Sequence, residues 1–210
     1  EDIQILDEHI YFKGKKTELQ WHALISAAFI RRVSLSEHAH YATPIIHFDW
    51  DTAKGHPFSY HVYGTVVIQV TLDCLRGIYD VDFVRGVHDF GKSMNTSVDY
   101  GQIEGGIVMG HGYAPTEELI VEHGAVRNPG SRDHKLVTAP EIPEMDIHFI
   151  ETMDGEGPQG AKGVGEAPAI CMAAAIANAI CNATGVRIYE LPFTPEKVYR
   201  ALHRPVAPDA

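Results

Sequence analysis

The sequence predicts a mixed α/β fold of the α+β kind, a hairpin-built mixed sheet packed by three or four helices. Residues 60–73 and 78–85 are two long β-type runs, and polar and apolar residues alternate in the second. Leu75-Arg76-Gly77 joins them as a tight turn, so the pair reads as an antiparallel hairpin. Residues 169–184 hold neither Gly nor Pro and are rich in Ala, the best helix former.

Taken in order, Ile3–Leu6 and His9–Phe12 read as short strands joined by Asp7-Glu8. Thr17 can cap a helix running to Arg32, with Leu19, Ala23, Phe29 and Ile30 near helical spacing. Residues 37–41 and 44–49 read as strands before the Gly55-His-Pro57 turn. A helix over roughly 97–113 is unusually rich in Gly. Residues 118–122 and 145–150 read as strands, with His123-Gly124 a turn and Asn128–His134 an exposed loop. The Ala-rich helix begins near Pro168, where a missing N–H costs nothing, and should be buried on most sides because it has hardly any polar face. Residues 186–189 look strand-like, Thr194 caps a last helix over 195–203, and residues 205–210 form a frayed tail.

The 210 residues, 45% apolar and 21% charged, suffice for one domain or two small ones. A net charge of −11 without any basic block or stripe argues against a nucleic-acid partner. The segment 167–183 is short and weakly hydrophobic for a membrane span, and the N-terminus shows no apolar leader. No membrane association and a cytoplasmic location are therefore expected. Cys74, Cys171 and Cys181 suit a reducing compartment as free, buried thiols. Thirteen His form no H-E-x-x-H and there is no C-x-x-C, so direct metal ligation by this chain is not expected.

The chemistry concentrates in Gly157–Pro168. Several glycines there let the backbone approach a ligand closely, but they do not spell G-x-G-x-x-G and no G-K-[ST] follows, so a nucleotide fingerprint is absent. Glu166 stands between this loop and the apolar helix. Its carboxylate either stabilises the helix dipole or serves as a general base beside a ligand. In the 97–113 helix, Gln102 offers both a donor and an acceptor within a frame of Gly91, Gly101, Gly105, Gly106, Gly110 and Gly112. That frame is either a bare wall for a flat ligand or a surface for tight helix packing, with Gln102 solvated.

Gly160-Ala-Lys-Gly-Val-Gly-Glu-Ala-Pro168 resembles the G-x-x-G-V-G-E-x-P signature of the molybdenum subunit of the xanthine dehydrogenase/aldehyde oxidoreductase family. Upstream text is similar to the same family in the same order. It comprises Val33-Ser-Leu-Ser36, the run from Gly55-His-Pro-Phe58 through Tyr60 and Tyr63-Gly64, Val70–Gly77, and Val87-His-Asp-Phe-Gly-Lys-Ser-Met-Asn95. Asp99-Tyr-Gly-Gln-Ile-Glu-Gly-Gly106, Met109–Tyr113 and Lys135–Pro143 continue it. The resemblance runs from about residue 17 onwards and covers only the C-terminal portion of such a subunit's molybdopterin-binding domain.

The resemblance implies a molybdopterin-dependent hydroxylase that inserts water-derived oxygen at an electron-poor carbon of a purine or related N-heterocycle. Aldehydes or nicotinate-like heterocycles are the alternative substrates, and a non-catalytic structural or assembly fragment is the rival of another class. It makes Glu166 the catalytic base and places Gln102 and Gly165 at the molybdenum–molybdopterin cofactor. Iron–sulfur clusters and FAD are implied on other domains or subunits. The expected partners are the remaining part of the molybdenum subunit, those redox domains and a small-molecule substrate. The chain alone is expected to be incomplete, inactive and oligomeric.

Overall fold

The computed structural model describes residues 2–43, 46–153 and 156–203. The chain divides into two compact units, Glu1–Ala42 and Thr43–Ala210. The expected tail at 205–210, and Pro44 and Ile45 of the expected 44–49 strand, lie outside the described residues.

The first unit is an antiparallel sheet in the order β1-β2-β3, built from β1 (Ile3–Leu6), β2 (His9–Phe12) and β3 (Lys15–Gln20). Asp7 and Glu8 both have positive φ, which matches the twist of a two-residue hairpin turn. The helix expected from Thr17 starts instead at Trp21, as α1 (Trp21–Ile30). Thr17 does not cap it: its hydroxyl donates to the Ile10 carbonyl oxygen at 2.7 Å. Cross-strand pairing overrides helical spacing here, because Lys15–Gln20 completes the sheet. The helix follows Gln20, which supplies no side-chain cap.

In the second unit, β4 (His47–Asp49) and β5 (Lys54–His56) form a small ribbon. The main sheet has the order β10-β7-β6. Here β6 (Tyr63–Asp73) and β7 (Ile78–Asp89) form the expected antiparallel hairpin, and β10 (Glu144–Ile150) lies parallel to β7. Asp73 closes the hairpin by accepting hydrogen bonds from the backbone N–H of Leu75 at 2.9 Å and Arg76 at 3.2 Å. A parallel neighbour needs a crossover, and the chain between β7 and β10 contains α2 (Thr96–Tyr113). Asn95 caps α2 by accepting from the Val98 N–H at 3.3 Å.

Between α2 and β10 lie a two-stranded ribbon, β8 (Val121–Glu122) with β9 (Ala125–Val126), and a one-turn helix, α3 (Ser131–His134). The expected strand at 118–122 shrinks to its last two residues. Asn128 is buried rather than exposed, because its side chain bridges the Ile120 N–H and the Glu118 carbonyl. Residues 37–41 and 186–189 belong to no strand. Cys74 is exposed and Cys171 and Cys181 are half-buried, so none of the three thiols is a core residue.

Helix α4 (Ala167–Thr184) packs against β6 and α2, and α5 (Pro195–Leu202) closes the chain with Thr194 accepting from Lys197 N–H at 3.4 Å. By length and composition α4 could cross a membrane. In this fold Pro168, Met172, Ile176, Ala177 and Ile180 are buried, while Ile170, Ala174, Asn178 and Asn182 form an exposed stripe at i, i+4 spacing. The expectation of burial on most sides therefore holds for one face only. The core joins Val81, Val84 and Phe90 of the β7 region, Ile103 and Ile107 of α2, and Met172, Ile176 and Ile180 of α4.

A histidine sits in this core. His88 is fully buried and neither ring nitrogen has a partner among the described residues. Its ring stacks on Phe90 at 5.4 Å, and Gly64 and Gly86 supply the space, since a Cβ at either would meet the ring. Burial lowers the His88 pKa, and burial is also the leading cause that lowers that of His111. Both stay neutral in the folded chain at pH values where the unfolded chain takes up protons. Stability is therefore fully present above the unfolded pKa of about 6.5 and is lost as pH falls below it. Urea melts between pH 7 and 5 should show that loss, up to about 1.4 kcal/mol per pH unit for each such histidine. His88→Leu should flatten the slope, and an unchanged slope would show that His88 does not contribute to it.

Candidate active site

The glycine loop is fixed before it reaches Glu166. It bridges to the chain after β7: Gly91 pairs with Ala161, Lys92 N–H donates to the Gly160 carbonyl and Lys162 N–H donates to the Phe90 carbonyl, each at 2.8 Å. Gly91 has φ of +67° and sits against the Gly160 carbonyl, which leaves no room for a side chain. Gly163 N–H donates to the Tyr60 hydroxyl at 3.2 Å.

A buried ion pair lies under the same loop. Lys162 Nζ is 3.0 Å from Asp89 Oδ2, and the two side chains are only 7% and 10% exposed. The Thr152 hydroxyl donates to the same oxygen at 2.6 Å, and Gly91 N–H donates to Asp89 Oδ1 at 2.9 Å. Burial alone would raise the Asp89 pKa. The hydrogen bonds from Thr152 and Gly91 and the Lys162 ammonium outweigh it and hold the carboxyl down at about 2. The ring of Tyr63 lies 5.9 Å from the Lys162 ammonium.

The loop then meets α2. Gly106 and Gly110 face the start of α4: a Cβ on Gly106 would stand 3.1 Å from Pro168 Cβ and 3.3 Å from the Gly165 carbonyl oxygen. At Gly110 it would stand 2.7 Å from both the Ala169 carbonyl oxygen and Met172 Cβ. Gln102 lies on the same stripe, one turn before Gly106. Its Oε1 is 3.4 Å from where a Gly165 Cβ would be. The structure thus brings the predicted residues Gln102, Gly165 and Glu166 together, across 64 positions of sequence from residue 102 to 166.

The glycines of α2 do not form one bare wall. Gly106 and Gly110 serve helix packing. Gly112 abuts Glu117 and Val137, and Gly101 and Gly105 have nothing within 4 Å. The latter two line a shallow depression of about 460 Å³ with Glu104, Val108, Ile142, Pro143 and Met145. Close packing accounts for Gly106, Gly110 and Gly112, while Gly101 and Gly105 stay open beside the exposed Gln102.

Glu166 occupies the N-cap position of α4, yet its carboxylate makes no capping hydrogen bond and is exposed. Among the described residues the Gln102 amide is also exposed and engaged by no hydrogen bond. An amide with a free donor and a free acceptor suits the edge of a pterin, and an unengaged carboxylate suits proton transfer. These residues therefore fit a molybdopterin lying at their junction. No cluster of three or more His, Cys, Asp or Glu able to hold a metal occurs among the described residues.

Sequence reasoning missed Asp89, Thr152, Lys162 and Tyr60. Asp89 and Lys162 lie inside motifs singled out above, but their pairing spans 73 positions and has no periodic signal.

Comparison with known proteins shows the family of the chain. The family described as "Molybdopterin cofactor-binding domain" matches residues 1–143, which include Gln102 but stop short of the glycine loop. The xanthine dehydrogenase molybdenum-binding subunit of Escherichia coli is 38% identical over 143 residues, covering 67% of this chain and 19% of that protein. The xanthine dehydrogenase/oxidase of Felis catus is 33% identical over 205 residues, 90% of this chain and 15% of that protein. The solved aldehyde oxidoreductase of Desulfovibrio gigas superposes with a TM-score of 0.67 at 38% identity, over 74% of this chain and 17% of that one. The chain spans less than a fifth of the length of each of these relatives. It belongs to the xanthine dehydrogenase/aldehyde oxidoreductase family, as part of a molybdopterin-binding subunit.

Proposed function

We propose that this chain is the part of a molybdenum-dependent hydroxylase that carries the general base, Glu166, and a pterin contact, Gln102. The observation that supports the reading best is that the unengaged Gln102 amide stands against Gly165, the residue before Glu166, whose exposed carboxylate makes no capping hydrogen bond. The Gln102 amide would hold the pterin edge, and the bare Gly165 backbone permits close approach. When bound, the molybdenum cofactor supplies the redox chemistry that inserts water-derived oxygen at an electron-poor carbon. A carboxylate oxygen of Glu166 accepts the proton given up by the attacking water-derived oxygen. The rigid loop keeps that oxygen in reach of the substrate, which lowers the entropic cost of proton transfer.

A purine or related N-heterocycle is the substrate class favoured here, within purine metabolism in the cytoplasm. An aldehyde is the second reading, because the aldehyde oxidoreductase is as similar to the chain as the xanthine dehydrogenase subunit. Turnover of the full-length enzyme on a purine and on an aliphatic aldehyde separates them. Electrons leave to iron–sulfur clusters and FAD carried by other domains or subunits.

The cofactor contact has its own test. Gln102→Ala in the full-length enzyme should lower molybdenum content per protein without unfolding it, since the side chain is exposed. Full cofactor content and unchanged affinity would leave Gln102 a solvated residue. The remaining part of the subunit is the expected partner for the apolar side chains that stay exposed, among them Met109 at 69% and Ile170 at 76%. The isolated chain should accordingly self-associate in light scattering. A monomer at high concentration would contradict that.

A further inference from the structure

We propose that Asp89 and Lys162 are positioning residues for Glu166: their buried pair locks the glycine loop onto the end of β7 and so sets where the carboxylate stands. The inference rests on the reading of Glu166 as general base.

The geometry isolates what the pair does. Backbone bonds tie residues 160–163 to Phe90, Lys92 and Tyr60. Beyond them only Val164 and Gly165 separate the loop from Glu166, whose own side chain supplies no cap. Lys162 turns its side chain inward, and Val164 beyond it packs against the core. The Lys162 ammonium meets Asp89 Oδ2 at 3.0 Å and the Thr152 hydroxyl oxygen at 3.2 Å. Asp89 thereby gathers three segments on one carboxylate: the end of β7 with its Gly91 N–H, the residues after β10 through Thr152, and the loop through Lys162.

Stability is a weak reason for such a pair, because two well-packed apolar side chains would do as well or better. A fixed place for the loop is a better one. Lys162 can leave only by stranding a buried carboxylate, so the loop has a single low-energy position. An apolar anchor of the same size would tolerate sliding. Glu166 is four residues further on, at the rigid start of α4, and it inherits that position.

The test measures kcat, KM and melting temperature of the full-length enzyme, with kcat expressed per bound molybdenum. Lys162→Met should lower kcat roughly 10²-fold with KM unchanged, the loss expected when a reacting group is displaced by about 1 Å. Thr152→Val, which keeps both charges, should give a smaller fall in the same parameter. Asp89→Asn/Lys162→Met removes both charges together and should regain much of the melting temperature lost in Lys162→Met. Its kcat should stay low, which a merely structural role does not predict. If Lys162→Met fails to fold, Thr152→Val and the double variant decide on the same ratio. A stable double variant with native kcat per molybdenum overturns the proposal. Glu166→Gln measured alongside separates the two ideas. If it is inactive while the double variant is fully active, only the pair is rejected. If Glu166→Gln is itself active, the general-base reading falls, and the pair has no base to position.

Discussion

Glu166→Gln in the full-length enzyme is expected to lower turnover by roughly 10²–10⁴ while molybdenum content stays near native. The substitution keeps the size of the side chain and removes its ability to accept a proton. It should not disturb the loop, because the contacts that hold the loop come from Lys92, Phe90, Tyr60 and the Asp89–Lys162 pair rather than from Glu166. The alternative role has a different signature. A carboxylate that only favours the α4 dipole is worth about 0.3–1 kcal/mol, and its loss leaves turnover alone. Steady-state rates with a molybdenum count distinguish these outcomes, and native turnover in a fully loaded Glu166→Gln enzyme would end the catalytic reading.

Gly110→Val carries the largest expected effect on stability. The backbones of α2 and α4 approach so closely there that any Cβ meets the Ala169 carbonyl oxygen and Met172 at 2.7 Å. A carbonyl within a helix cannot rotate away, so the helices must separate and uncover Ile107 and Met172, both fully buried. Overpacking commonly costs about 1–3 kcal/mol, and this site should reach or exceed about 3 kcal/mol. Gly105→Ala should have the opposite sign. Nothing lies within 4 Å of its Cβ, and Ala is favoured over Gly in a helix interior by roughly 0.5–1 kcal/mol. Urea melts of the two variants check both signs. A tolerated Gly110→Val would mean that the α2–α4 contact is loose.

Local signals in the sequence reached the elements whose structure is set locally. The β6–β7 hairpin followed from alternation over 78–85 and from the Leu75-Arg76-Gly77 turn, which the Asp73 side chain closes. Helix α4 followed from its Ala content and Pro168, and α5 from Thr194. What failed was set by distant partners. Thr17 looks like a cap by residue type, but its hydroxyl is taken by the Ile10 carbonyl across the sheet. The parallel pairing of β10 with β7 joins Glu144 to Phe83, which no local pattern encodes.

The site divides the same way. Glu166 and Gln102 could be singled out because each sits in a glycine frame, but the approach of Gln102 to Gly165 depends on how α2 packs against α4. The α2 glycines were legible as a departure from ordinary helix composition. Their division between helix packing at Gly106 and Gly110 and open surface at Gly101 and Gly105 required the fold. Glu166 is exposed although the helix after it is apolar, because the first turn of α4 buries Pro168 and leaves Ile170 outward.

The central claim is that Gln102 and Glu166 stand on one wall of a molybdenum site. Anomalous diffraction at the molybdenum absorption edge, from crystals of the full-length enzyme, tests it most directly. The account predicts a single molybdenum peak on the face where Gln102, Gly165 and Glu166 meet, with the Glu166 carboxylate turned towards it. A molybdenum peak elsewhere in catalytically active crystals, with Glu166 directed away from it, would contradict the account.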